Sequence, residues 1–190
     1  IKPDDLAVPE ETVATKDVVP TPSATVTAAG SPPASPPPPP PSIEEMARAN
    51  AAAAAWSARC RHRMLVYNNR MWILGGSPNA AGGTALNDVW YSTDGITWTQ
   101  ATAAAGWTGR FNAVGLSYNN LLWIISGQLA ASVDDDVWSS ADGVTWTQVT
   151  AAAGFSTRQA ATGLVFNNLM WIMGGSTNAG TTNNEVWYST

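Results

Sequence analysis

Met71-Trp72-Ile73-Leu74-Gly75-Gly76 decides the fold, because the chain writes it twice more, as Leu122-Trp123-Ile124-Ile125-Ser126-Gly127 and as Met170-Trp171-Ile172-Met173-Gly174-Gly175. Upstream of each copy stand an arginine (Arg59, Arg110, Arg158) and an aromatic residue followed by Asn-Asn (Tyr67-Asn68-Asn69, Tyr118-Asn119-Asn120, Phe166-Asn167-Asn168). Downstream, after a segment that varies in length and sequence, come Asp88-Val89-Trp90, Asp136-Val137-Trp138 and Glu185-Val186-Trp187. Two copies continue into Asp94-Gly95-Ile96-Thr97-Trp98 and Asp142-Gly143-Val144-Thr145-Trp146, and the third stops at Thr190, where that piece would begin. Self-similarity at a fixed period of about 50 residues is the signature of a repeat architecture.

The punctuation says what each repeat is. Asn-Asn between two apolar runs suits a two-residue hairpin, since asparagine tolerates the positive φ that a type I′ turn needs at both central positions. Asp-Gly predicts the same turn between the third and fourth strands. Each repeat therefore reads as a four-stranded antiparallel meander, a propeller blade. One such sheet cannot bury both faces alone, so neighbours must stack, with the large area of tryptophan dominating the contact. The expected fold is all-β, a partial, open β-propeller of about three four-stranded blades spanning residues 56–106, 107–154 and 155–190.

These residues resemble a known family. Arg59, His62, Tyr67, Gly75, Gly76 and Trp90 match the pattern of Kelch-like β-propeller repeats, and the resemblance covers residues 56–190. Gly127, Gly174, Gly175, Trp138 and Trp187 repeat it in register, while Asn112 stands near the place of His62 and Ser126 replaces the first glycine of the second copy. The resemblance implies a radial propeller acting as an interaction platform. The segments ending in Trp98 and Trp146 also look like an Asp-box of sialidases and other propellers with one residue deleted, whose implied role is to shape a turn. The three equivalent arginines invite comparison with the sialidase arginine triad, but a repeated position reads first as structural, bonding loop carbonyls within its own blade.

Ahead of the repeats the composition changes. Twelve of the 13 prolines precede Ser42, and the first tryptophan is Trp56. Residues 1–30 are too poor in large apolar side chains to offset the entropy of ordering them and read as an extended or disordered arm. Within it, residues 12–19 and 24–28 carry enough Val and Thr to add as strands to an open sheet edge, of this molecule or the next. Residues 31–42 read as a polyproline II rod, which can serve as a spacer, as a ligand for aromatic-lined grooves or as a sugar-bearing stalk; Ser31, Pro32, Pro33, Ser35, Pro36, Pro37, Pro38, Pro39, Pro40, Pro41 and Ser42 are candidate modification sites, because this stretch resembles hydroxyproline-rich and mucin-like glycoproteins. Ser42 and Glu45 have capping-box spacing, which predicts a short Ala-rich helix over residues 43–55.

Charge and residue usage exclude several functions. The formal net charge of −5 argues against a nucleic-acid partner held by phosphate neutralisation. No apolar run reaches the roughly 18 residues of a membrane span. A single cysteine, Cys60, excludes internal disulfides, and it reads as a buried small hydrophobe on the first strand. Cys60 and the single histidine, His62, offer no zinc or copper set, and the acids of the repeats fall at turns and strand starts rather than as a nucleophile and acid pair. No cofactor is expected. Asp134, Asp135 and Asp136, expected in the variable loop of the middle blade, are the candidates for a calcium site. The loops 77–87, 128–135 and 176–184 are the expected contact surface.

The sequence thus reads as a non-enzymatic extracellular or cell-surface structural or interaction protein, with an O-glycosylated arm that takes part in oligomeric or filamentous assembly. A start without Met and an end inside a blade point to a fragment or a processed chain. The expected partners are protein, namely copies of itself or further blades of the same assembly, and, in second place, glycans. The alternatives are a cytoplasmic protein-binding adaptor with a proline-rich ligand segment and a glycan-binding, sialidase-like propeller.

Overall fold

The computed structural model describes residues 54–177 and 180–189. The arm, the rod with its candidate modification sites, and the expected helix lie outside the described residues, except Ala54 and Ala55, which are not helical. Every regular element among the described residues is a strand.

Three antiparallel meanders follow one another along the chain. The first sheet runs β1 (Arg63–Tyr67), β2 (Arg70–Gly76), β3 (Leu86–Ser92) and β4 (Thr99–Thr102). The second runs β5 (Val114–Tyr118), β6 (Leu121–Gln128), β7 (Val133–Ser140) and β8 (Thr147–Thr150), and the third has three strands, β9 (Thr162–Phe166), β10 (Leu169–Met173) and β11 (Val186–Tyr188). Asn-Asn makes the first hairpin in every sheet: Asn68 and Asn69, Asn119 and Asn120, and Asn167 and Asn168 all have φ between 48° and 56°. Tyr67 therefore pairs with Arg70, Tyr118 with Leu121 and Phe166 with Leu169.

Asp-Gly behaves differently from expectation. Only the glycine has positive φ, 76° at Gly95 and 75° at Gly143, and the connection from β3 to β4 spans residues 93–98 rather than two. Asp94 Oδ1 accepts hydrogen bonds from the backbone N–H groups of Ile96 (2.8 Å) and Thr97 (2.7 Å), and Asp142 does the same for Val144 and Thr145 at 2.8 Å each. An aspartate that can bind the backbone two and three residues on makes a wider turn, which competes with the tight one.

The sheets stack face to face. Each strand alternates its side chains, so one face of the first sheet (Leu65, Tyr67, Trp72, Leu74, Val89, Tyr91) meets the near face of the second (Ala113, Leu122, Ile124, Trp138, Trp146). The far face of the second sheet (Leu116, Trp123, Ile125, Val137) meets Ala161, Met170 and Ile172 of the third in the same way. Two glycines make this approach possible. A Cβ at Gly115 would sit 3.0 Å from Arg63 Cβ, and one at Gly163 would sit 2.3 Å from Val114 Cγ1. Tyr67 adds a directed contact, its hydroxyl donating to Asn120 O (2.8 Å) and Ala141 O (3.0 Å) of the second sheet, and Tyr118 donates to Asn168 O of the third at 2.7 Å.

Gly143 tests how tightly the stack is closed. A Cβ there would lie 2.1 Å from Trp72 Cζ3, whereas Gly154, also at positive φ, has nothing within 4 Å. Gly143→Ala is expected to cost about 2–5 kcal/mol, from left-handed backbone strain plus overpacking, and Gly154→Ala only the strain of about 1–2 kcal/mol. Urea unfolding of both variants checks this, and equal losses would mean that the indole gives way.

Candidate functional site

The three arginines that open the repeats each hold a carboxylate, and the side chain of each is fully buried. Arg59 Nη1 donates to Gly75 O (3.0 Å) and Asp88 Oδ1 (2.6 Å), and Nη2 to Asp88 Oδ2 (2.8 Å). Arg110 makes the same set with Ser126 O (2.9 Å) and both carboxylate oxygens of Asp136. Arg158 departs from the set: Nη1 donates to Gly174 O (3.1 Å) and Asn183 Oδ1 (3.4 Å), and Nη2 to a single oxygen of Glu185. In every sheet the tryptophan two residues beyond the acid donates its indole N–H to that same carboxylate: Trp90 to Asp88 at 2.7 Å, Trp138 to Asp136 at 2.6 Å and Trp187 to Glu185 at 3.0 Å. The guanidinium also lies over the ring three residues before it, 5.8 Å from Trp56, 5.8 Å from Trp107 and 5.0 Å from Phe155. Arg59, Arg110 and Arg158 are thus separate clamps within three sheets, each with its own carboxylate, and do not converge on one anion.

The carboxylates feel these partners. At Asp88 burial alone would raise the carboxyl, but hydrogen bonds from Arg59 and Trp90 outweigh it and hold the group below the usual range. Asp94 is held at about 2 by the backbone N–H groups of Thr97 and Ile96 and by the Ser92 hydroxyl. Asp142 is lowered in the same kind of turn, where the N–H groups of Thr145 and Val144 overcome burial.

The acidic triplet is placed differently from expectation. Asp134, Asp135 and Asp136 lie in β7, not in a loop, and the turn before them is short, closed by Leu129 N–H on Ser132 O at 2.8 Å. Consecutive residues of a strand project to opposite faces, so the three carboxylates cannot gather around one ion, and Asp136 already serves Arg110. Among the described residues no three His, Cys, Asp or Glu side chains are grouped so as to hold a metal ion. Cys60 is half-buried and lies outside the named strands, bridged to Ser77, rather than buried within the first strand. His62 is partly buried, and burial followed by the charges of Arg59 and Arg63 lowers its pKa.

The open sheet face that the repeats lead one to expect lies on the third sheet. Leu164, Phe166, Val186 and Tyr188 occupy the positions of Leu65, Tyr67, Val89 and Tyr91, yet Phe166 and Tyr188 are 59% exposed and Val186 is 56% exposed, against 0% for Val89. The β11 edge has no paired neighbour among the described residues, where β3 and β7 have β4 and β8. Behind it, between the second and third sheets, lies an apolar cavity of about 160 Å³. No protein-family model matches the chain, and no curated protein matches it in sequence.

Removing one clamp acid separates burial from surface exposure. Asp136→Ala is expected to cost about 3–5 kcal/mol, because it strands the buried Arg110 charge, while Glu185→Ala, whose carboxylate is 44% exposed, should cost less. Urea denaturation gives both values, and equal losses would refute the clamp as the buried unit. The Asp94 turn sets a pH signature. Its folded pKa of about 2 lies below the ordinary 3.8, so its contribution is complete above pH 4 and disappears as pH falls from 4 to 2. Asp94→Asn should therefore lower stability at pH 6 and differ little from the parent at pH 2, as read from unfolding midpoints at the two pH values.

Proposed function

We propose that this chain is a non-enzymatic structural or interaction protein whose repeats are the blades of an open, Kelch-like β-propeller, carried extracellularly or on a cell surface by a Pro-rich, O-glycosylated arm and joined to other subunits in an oligomeric or filamentous assembly. The observation that carries the reading is the uncovered apolar face of the third sheet. The corresponding faces of the first and second sheets are covered by the next sheet along, so by the rule of the repeat this face is covered by a further sheet, of another blade or of another subunit. The arginines support a structural role, since each is consumed within its own sheet and none is left to clamp a substrate. The acids support it too: Asp88, Asp136 and Glu185 bind arginine, and Asp94 and Asp142 bind turn backbone.

Light scattering with intact mass spectrometry tests the proposal. The expected result is a particle several times the 19.9 kDa of the chain, with sugar-sized steps in the chain mass. A bare monomer at high concentration would overturn it. Deletion of residues 1–42 is expected to reduce particle size, and an unchanged particle would remove the arm from the assembly.

A further inference from the structure

Arg63 stands apart from the other arginines among the described residues. Arg59, Arg110 and Arg158 hold carboxylates, Arg61 lies over Phe111 at 5.5 Å and Arg70 lies over Tyr91 at 4.4 Å. Arg63 has neither a carboxylate nor a ring. Its Nε donates to Ala113 O, and no acceptor among the described residues meets Nη1 or Nη2. The side chain is nevertheless half-buried, and burial alone lowers its pKa, as expected of a cation with too little around it to balance the charge. The repeat does not ask for this arginine either. Val114 and Thr162 stand at its place in β5 and β9, and those sheets form the same ladder without a cation there.

The guanidinium borders a groove. β1, β5 and β9 are edge strands of their sheets and lie side by side. Between them Arg63, Met64, Val114, Gly115, Thr162 and Gly163 line a space of about 240 Å³ with no acid on its wall. All three strands have the same length, so the groove owes nothing to the fourth strand that the third sheet lacks. The glycines add donors. A two-residue turn makes Tyr118 and Leu121 a hydrogen-bonded pair, and such pairs alternate with unbonded ones along an antiparallel ladder. Gly115, three residues before Tyr118, therefore turns its N–H away from β6 to the open edge, and Gly163, three before Phe166, does the same in β9. Neither amide is screened by a side chain, and the exposed hydroxyl of Thr162 lies on the same wall.

We infer that this groove is a binding site for an oxyanion, the shared chemistry of carboxylate, sulfate and phosphate groups, held by Nη1 and Nη2 of Arg63 with the N–H groups of Gly115 and Gly163. The end of a guanidinium presents two parallel N–H groups at the spacing of two oxygens on one such group. In a half-buried groove that pair gains more than at the open surface, because less water competes for it. The site does not depend on the uncovered face of the third sheet or on assembly, since its walls are the first strands of sheets already packed together.

The full chain is titrated with sodium sulfate by isothermal calorimetry, with ionic strength held constant by sodium chloride. Saturable binding of one sulfate per chain is expected. Arg63→Gln should weaken it at least about tenfold, and Arg63→Lys should weaken it less, keeping the charge but losing the fork. Arg61→Gln, which removes a cation stacked on Phe111, should leave it unchanged. Titrations with sodium acetate and sodium phosphate distinguish the sources: tighter acetate assigns the site to a carboxylate, tighter sulfate or phosphate to a tetrahedral oxyanion. Should Arg63→Gln fail to fold by circular dichroism, Arg63→Lys decides, and a lysine chain that binds as the parent does would overturn the inference. Heat without saturation for all three anions, undiminished binding to a folded Arg63→Gln chain, or an equal loss in Arg61→Gln would overturn it too. A large particle that binds no oxyanion would leave assembly standing and remove the site, and a monomer that binds one would do the reverse.

Discussion

A buried guanidinium held by a carboxylate and a carbonyl is the constraint from which the rest of each sheet follows. Arg110 has no route to water, so its charge must be met inside the protein, and Asp136 and Ser126 O meet it. An unpaired charge at such a site would cost several kcal/mol, which makes the positions of its partners compulsory. The carbonyl comes from the end of the second strand and the carboxylate from the third, and the ring beneath comes from the segment ahead of the first. One side chain thus ties three parts of a repeat together. The indole N–H of Trp138 completes the carboxylate and fixes the ring that packs on the neighbouring sheet. Ser126 adopts φ of 53°, a glycine conformation, because its carbonyl must point at the arginine; the strain is borne where the charge requires it.

From the clamp outward the sheets are joined by shape. Glycine at 115 and 163 lets one strand face lie on the next, and tryptophans fill the core between the first two sheets. The tyrosine hydroxyl of one sheet reaches the Asn-Asn turn of the following one. Phe166 stands at the same position in the third sheet with no hydroxyl to donate. The uncovered face is accordingly suited to apolar contact rather than to a repeat of the tyrosine bond.

Much of this was legible in the text of the chain, and what was not shares one cause. The three copies, their strands and the Asn-Asn hairpins could be read directly, since period-two alternation and the positive φ of asparagine are properties of a few neighbouring residues. Asp-Gly misled because glycine at positive φ serves two turns, and the wider one wins when the aspartate finds N–H groups two and three residues on. The acidic triplet misled because a strand long enough to contain it shortens the loop that was expected to carry it. The acid before Val-Trp was visible three times, but its arginine lies between 26 and 29 residues earlier and no local rule joins them.

The sequence by itself determined the repeat, the strand content and the first turn of every sheet, because these rest on short-range backbone preferences. Only the tertiary structure decided which arginine meets which acid and which face each sheet covers. Those are contacts between residues far apart in the chain, and their energy depends on burial that no single repeat has until the next one packs against it.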